Sequence, residues 1–116
     1  MNRRRAEQQG RTGERIAAWW LRLNGWSILG ERVKTKVGEV DLIARRGRAL
    51  AFVEVKTRAT AADLALAIDE RRLQRVAAAA HSLIARYGRD ADEISIDVIL
   101  IRPWALPVHM RNVWHG

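Results

Sequence analysis

Between Gly38 and Thr57, two strand-length stretches flank a very short connection. Gly38-Glu39-Val40-Asp41-Leu42-Ile43-Ala44 precedes Arg45-Arg46-Gly47-Arg48, and Phe52-Val53-Glu54-Val55-Lys56-Thr57 follows it. A connection this short, centred on a glycine, predicts an antiparallel hairpin. With Gly47-Arg48 as the loop, Asp41 faces Glu54 and Glu39 faces Lys56. A four-residue loop on the same centre keeps that register, whereas a three-residue loop or a bulge breaks it. Alternation puts Phe52, Glu54 and Lys56 on one face of the second strand, against Ala51, Val53 and Val55. In the first strand it puts Glu39, Asp41 and Ile43 opposite Val40, Leu42 and Ala44.

Carboxylates directly opposed across two strands lie about 4.5–5.5 Å apart at Cβ and repel. Asp41 and Glu54 therefore require neutralisation. A hard divalent cation, Mg²⁺ or Mn²⁺, does this with the oxygen ligands it prefers. Lys56 lies beside the same pair, where it could orient a water or hold charge developing on a phosphate. The plain structural alternative is a solvated face of salt bridges. The otherwise apolar strands, with charges clustered at matched positions, favour the site.

The chain of 116 residues has the size of one domain, and 48% of its residues are hydrophobic, which predicts a globular fold. No apolar run has the length of a membrane span and no signal peptide is recognisable, so no membrane partner is expected. Cysteine is absent, which excludes disulfides and thiolate metal sites and agrees with a cytoplasmic location. The net charge of +8 suits an anionic partner, nucleic acid first. All of the 21 basic residues except Lys34, Lys36 and Lys56 are arginine, a bias that base composition alone can produce. Charge carries the inference only together with the carboxylate hairpin.

Along the rest of the chain, residues 1–10 read as a flexible basic tail and residues 11–116 as a single domain. From Thr12 to Asn24 the pattern is helical, with Ile16, Trp19, Trp20 and Leu23 as the apolar stripe, widened by Ala17, Ala18 and Leu21. Trp26 to Lys36 reads as a first strand, with Arg32, Lys34 and Lys36 alternating on one face as a phosphate-facing or charge-protected edge. Residues 59–67 read as a loop. Asp69 caps a helix whose face is Leu73, Val76, Ala77, Ala80, Ile84 and Tyr87, and Gly88 stops it. Ile94 to Ile101 reads as a central strand interrupted by Asp97, a buried carboxylate that must be paired with an arginine or a helix start. Val108 to Trp114 reads as an edge strand. His81 is structural or exposed. Trp104 and Trp114 cap the core or stack on bases. The order is α-β-β-β-α-β-β, which gives a mixed five-stranded sheet with helices on both faces.

The Asp41…Glu54-x-Lys56 set resembles the PD-(D/E)xK signature of the restriction-endonuclease-like superfamily. Gly13-Glu14, Ala17, Leu21, Gly25-Trp26, GEVDLIA, FVEVKTR and Ile96-Asp97-Val98-Ile99 together resemble the small bacterial YraN family, also designated UPF0102. The resemblance covers roughly residues 10 to 102. It implies an endonuclease-like three-layer core, similar to that of Holliday junction resolvases. It also implies metal-assisted phosphodiester hydrolysis, with Asp41, Glu54 and the Val55 carbonyl as metal ligands. Glu14, which otherwise only suits the helix dipole, matches an early acidic residue of the family. Glu39 supports the metal or Lys56. Arg72 stands where relatives carry lysine, so a phosphate contact is retained and a lysine-specific role is not. Asp97 matches a family aspartate, but Ser95 and Ile96 replace the arginine and phenylalanine before it.

These readings make the chain a Mg²⁺- or Mn²⁺-dependent nuclease acting on DNA. Arg72, Lys34, Lys36 and Arg58 contact nucleic acid, and a junction substrate would call for a homodimer with two sites. The rival is a nucleic-acid-binding module without turnover. A third reading is a protein-interaction domain using tryptophan surfaces.

Overall fold

The computed structural model describes residues 3–57 and 69–115. Its elements run α1 (Arg3–Leu23), β1 (Ser27–Lys34), β2 (Glu39–Arg46), β3 (Ala49–Thr57), α2 (Glu70–Tyr87), β4 (Glu93–Ile101) and β5 (Val108–Met110). The strands form one sheet in the order β1-β2-β3-β4-β5. Neighbours joined by short connections are antiparallel. Only β3 and β4, separated by the crossover that contains α2, are parallel. Arg58 and the expected loop at 59–67 lie outside the described residues.

Period-two alternation divides the central strands between two cores. Phe52, Leu50, Val98 and Leu100 pack under Leu73, Val76, Ala79, Ala80 and Leu83 of α2. Val53, Ala51, Ile99 and Ile101 pack under Ala17, Ala18 and Leu21 of α1. The result is a three-layer α/β fold, as the element order predicted. Among the described residues, no helix is long and apolar enough to cross a membrane.

Helix α2 starts where its cap predicts. The Asp69 side chain accepts from the amides of Arg71 and Arg72, and the Gly88 amide closes the far end on the Ile84 carbonyl. Helix α1 departs from expectation in two ways. It begins at Arg3, well before Thr12. It also buries Ala17, Ala18 and Leu21, while Ile16, Trp19 and Leu23 face outward, Trp19 at 63% and Leu23 at 76% exposure. The cause is the closeness of the helix to the sheet. A Cβ built on Gly13 would lie 2.5 Å from Thr57 Oγ1, so the buried line through Gly13, Ala17 and Leu21 begins with small residues, and the large stripe has no room beneath it. Gly13→Ala should therefore lower the melting temperature, although alanine is the better helix former by about 1 kcal/mol. A higher melting temperature would mean that α1 can shift away from β3 at no cost.

Strand β1 stops at Lys34. Lys36 falls in a turn held by Thr35, whose hydroxyl donates to the Gly38 carbonyl and accepts from the Val37 and Gly38 amides. Strand β4 is buried from Ser95 onward, but Ile94 is exposed. Strand β5 is a short edge, and the chain beyond it packs without further strand. Val113 and Trp114 are partly buried against the α2-side core, so Trp114 caps the core.

Asp97 is fully buried. Of the two partners expected, the arginine is present, as Arg111, and three further donors join it in place of a helix start. The Ser95 hydroxyl (2.8 Å) and the Asn112 amide (3.0 Å) donate to Oδ1. His109 Nε2 lies 2.8 Å from Oδ2, and Arg111 Nε lies 3.4 Å from the same oxygen. His109 had no signal in the sequence, because only the β4–β5 pairing brings it to Asp97. Its ring also meets Trp26 edge-on at 6.0 Å, and Arg46 and Arg111 stack over that indole.

Candidate active site

The β2–β3 hairpin has the predicted register, with Ala44 opposite Ala51 and Leu42 opposite Val53. The paired ladder ends there. Beyond it, the Val55 amide donates to Asp41 Oδ2 at 2.8 Å, so a side chain takes a main-chain donor of β3. The sheet parts where the acidic residues begin, which relieves the repulsion that direct opposition would impose. This parting corrects two expectations. Glu39 does not face Lys56; it is exposed and pairs across the strands with Lys34. Val40 joins the α2-side core with Ile43, instead of sharing the side of Leu42 and Ala44.

Asp41 and Glu54 line one cavity of about 460 Å³. Its other walls are Gly38 from the β1–β2 turn, Glu39 at the start of β2, and Asp69, Arg71, Arg72, Arg75 and Val76 from the start of α2. Gly38 permits this closure. A Cβ there would lie 3.0 Å from the Arg75 carbonyl oxygen and 3.6 Å from Ala79, so a larger residue would crowd the helix backbone and require it or the turn to give by a few tenths of an ångström.

Glu54 is only 2% exposed. Lys56 Nζ is 3.0 Å from Glu54 Oε1, as expected for residues two apart on one strand face. Arg72 Nε contacts the same oxygen. Glu54 Oε2 is buried with no hydrogen-bond partner among the described residues. Burial pushes the Asp41 carboxyl up, and the nearby Glu54 and Glu14 carboxylates raise it further. The Val55 amide and Arg72 offset only part of this, and the pKa stands at about 6.

Glu14 points to this end of the sheet from α1, but Arg32 Nε holds its Oε2 at 2.7 Å. Arg32 was expected only as one of a row of edge charges. The structure brings it to Glu14, which holds the guanidinium more firmly protonated, with smaller contributions from Glu39 and Asp41. Lys34 and Lys36 are exposed on β1 and the turn after it.

The donor set can be compared with the needs of a divalent cation. No three acidic or imidazole groups converge to hold a metal among the described residues. Two carboxylates do face one cavity, one with an unpartnered buried oxygen and the other destabilised in its charged form. Mg²⁺ is commonly bound by one or two carboxylates, with water and substrate phosphate completing the shell, so this pair fits such an ion. Asp41 and Glu54 are the ligands available. The Val55 amide donates to Asp41, a contact that does not involve the carbonyl expected as a ligand, and Glu14 is paired with Arg32.

Fold and site together define a three-layer α/β domain whose sheet opens onto a cavity lined by carboxylates and arginines, with Lys56 against one of the carboxylates. The family profile described as "Uncharacterised protein family UPF0102" matches residues 13–101, and the chain belongs to that family. It is similar over its whole length to a UPF0102 protein of Rhizorhabdus wittichii, with 72% identity covering 100% of this chain and 99% of the relative. A UPF0102 protein of Sphingopyxis alaskensis is 60% identical, with 98% of each chain covered. One of Bartonella bacilliformis is 45% identical over 99% of this chain and 95% of its own.

Proposed function

We propose that this protein is a cytoplasmic, metal-dependent nuclease acting on DNA phosphodiesters, branched DNA among them. One observation carries the reading. Asp41 and Glu54 open onto the same cavity with Lys56 against Glu54, and Glu54 presents a buried oxygen with no hydrogen-bond partner among the described residues. A Mg²⁺ or Mn²⁺ ion held by the two carboxylates would supply Lewis acidity toward a phosphate oxygen and toward water. Lys56 holds the charge that develops on the phosphate or positions the attacking water. Arg71, Arg72 and Arg75 line the same cavity as cations for the substrate backbone, and Lys34 and Lys36 extend the basic rim. A four-way junction would require two such sites, and hence a homodimer.

A second reading, a DNA-binding module without turnover, draws on the contacts of Arg72 and Lys56 with Glu54. Two cations already neutralise the oxygen they share. A cleavage screen over linear, branched and flapped DNA with Mg²⁺ and Mn²⁺ decides between the two. DNA binding without metal-dependent cleavage of any substrate selects the module.

Metal linkage can be measured without activity. Either ion should raise the melting temperature, because a ligand that binds only the folded state stabilises it. The response should grow as Asp41 ionises, from weak near pH 5 to full near pH 7, given its pKa of about 6. In the metal-free protein, folded Asp41 keeps a proton that the unfolded chain has already lost. Its contribution therefore makes stability fall as pH rises from about 4 to 6. Asp41→Asn should abolish the metal response and raise the metal-free melting temperature above pH 6. An unchanged metal response in that variant would place the binding elsewhere.

A further inference from the structure

The connection between β4 and β5 presents a side chain that folding does not explain. It leaves the sheet at the end where β3 and β4 both finish, Thr57 beside Ile101. Trp104 in this connection is fully exposed, at 103%, and Leu106 is 71% exposed. Trp104 also has φ +61°. There the Cβ of an L-residue crowds its own carbonyl, and a bulky residue is an outlier. The indole thus buries nothing and sits on a strained backbone, at a position where glycine would be the stable choice. Pro103 and Pro107, with φ fixed by their rings, frame the segment.

The other described tryptophans are accounted for differently, with Trp20 half-buried in α1. Trp26 is buried between two arginines, Trp114 packs against the core, and Arg22 lies over the Trp19 ring. The Trp104 connection is also near the cavity. Val98 pairs with Glu54, and the chain from Val98 to Trp104 spans at most about 20 Å when extended. That is on the order of six stacked nucleotides of one strand. At the base of the connection, Arg102 supplies a cation whose buried Nε has no hydrogen-bond partner among the described residues.

We infer that Trp104 is a stacking platform for an unpaired nucleobase, in the single-stranded or splayed part of a DNA substrate whose phosphate lies at the Asp41–Glu54 cavity. The inference rests on the nuclease reading and adds the substrate class: DNA with unpaired bases a few nucleotides from the scissile bond. Every base offers a π-face, so the contact is independent of sequence.

The test measures binding of a fluorescently labelled single-stranded oligonucleotide and of the matching blunt duplex at several salt concentrations. Trp104→Ala should weaken single-strand binding on the order of tenfold and change duplex binding little. Trp104→Phe should retain most of the affinity. The slope of log affinity against log salt should be unchanged, because no phosphate contact is removed. Trp104→Gly should bind as weakly as Trp104→Ala and melt at or above the wild-type temperature, since it relieves the left-handed strain and loses no contact.

Wild-type single-strand affinity in Trp104→Ala, with DNA binding otherwise intact, overturns this inference and leaves the nuclease reading standing. A lower melting temperature in Trp104→Gly overturns it too, by giving the indole a folding role. Absence of DNA binding by the wild type at low salt defeats both readings.

Discussion

If the proposed nuclease reading holds, Lys56→Ala should slow metal-dependent DNA cleavage on the order of a hundredfold or more, while the affinity for DNA should hold. The magnitude is that of removing a single electrostatic stabiliser from a transition state. The direction follows from position. Lys56 is nearly buried, and its ammonium is 3.0 Å from Glu54 Oε1, so the proposed role places it with the metal-binding carboxylate and not along an exposed backbone track. An interaction made only in the transition state lowers the rate constant and leaves ground-state binding alone.

Glu54→Gln should behave differently, losing the metal-induced rise in melting temperature and cleavage together. Lys56 is also a counter-ion of Glu54, so both variants need a melting curve beside the rate. Arg72 remains on Glu54 Oε1 when Lys56 is removed, which limits the damage to the fold. Cleavage at the wild-type rate in Lys56→Ala removes the lysine from the chemistry. Cleavage that persists in Asp41→Asn points to a different site or a contaminating nuclease.

Asp97→Ala should cost about 3–5 kcal/mol of folding stability, the scale of breaking a buried, fully partnered charge. Against a typical total of about 5–15 kcal/mol, that is a large share, and a shift in the urea midpoint reads it directly. The carboxylate ties β4 to the C-terminal segment through Ser95, His109, Arg111 and the Asn112 amide. Removing it strands those donors.

Burial alone pushes the Asp97 carboxyl up. The hydrogen bonds from His109, the Asn112 amide and Ser95 outweigh burial and hold its pKa below the ordinary carboxylate value. A depressed folded pKa contributes stability that is present above the unfolded value, near 3.9, and is lost as pH falls through the folded one. Wild type should therefore lose stability at acid pH more steeply than Asp97→Asn. Equal acid sensitivity in the two would mean that Asp97 is not the group that protonates.

Much of this architecture could be read along the chain because it depends on local periodicity. Gly47 and the short connection set the β2–β3 register, and alternation then sent Phe52 and Val53 to opposite cores. Asp69 and Gly88 marked both ends of α2, since a cap is a contact between near neighbours. The acidic residues and lysine of β2 and β3 stood out because charge is costly in an apolar strand.

What failed to show in the sequence depended on partners distant along the chain. Hydrophobicity chose Ile16, Trp19 and Leu23 as the buried side of α1, but the closeness of Gly13 to Thr57 chose Ala17, Ala18 and Leu21. Pattern extended the hairpin ladder to Glu39 and Lys56. The Asp41 carboxylate, by taking the Val55 amide, ended it at Leu42 and Val53. Glu14 was visible as an acid near a helix start; its capture by Arg32 was not. Asp97 announced a need for partners, and His109 became one only when β5 paired with β4. Covalent spacing along the backbone determined which residues share a strand or a helix face. Which face is buried, where a ladder stops and which charges meet were decided by close packing between elements, because steric exclusion and hydrogen-bond satisfaction act through space.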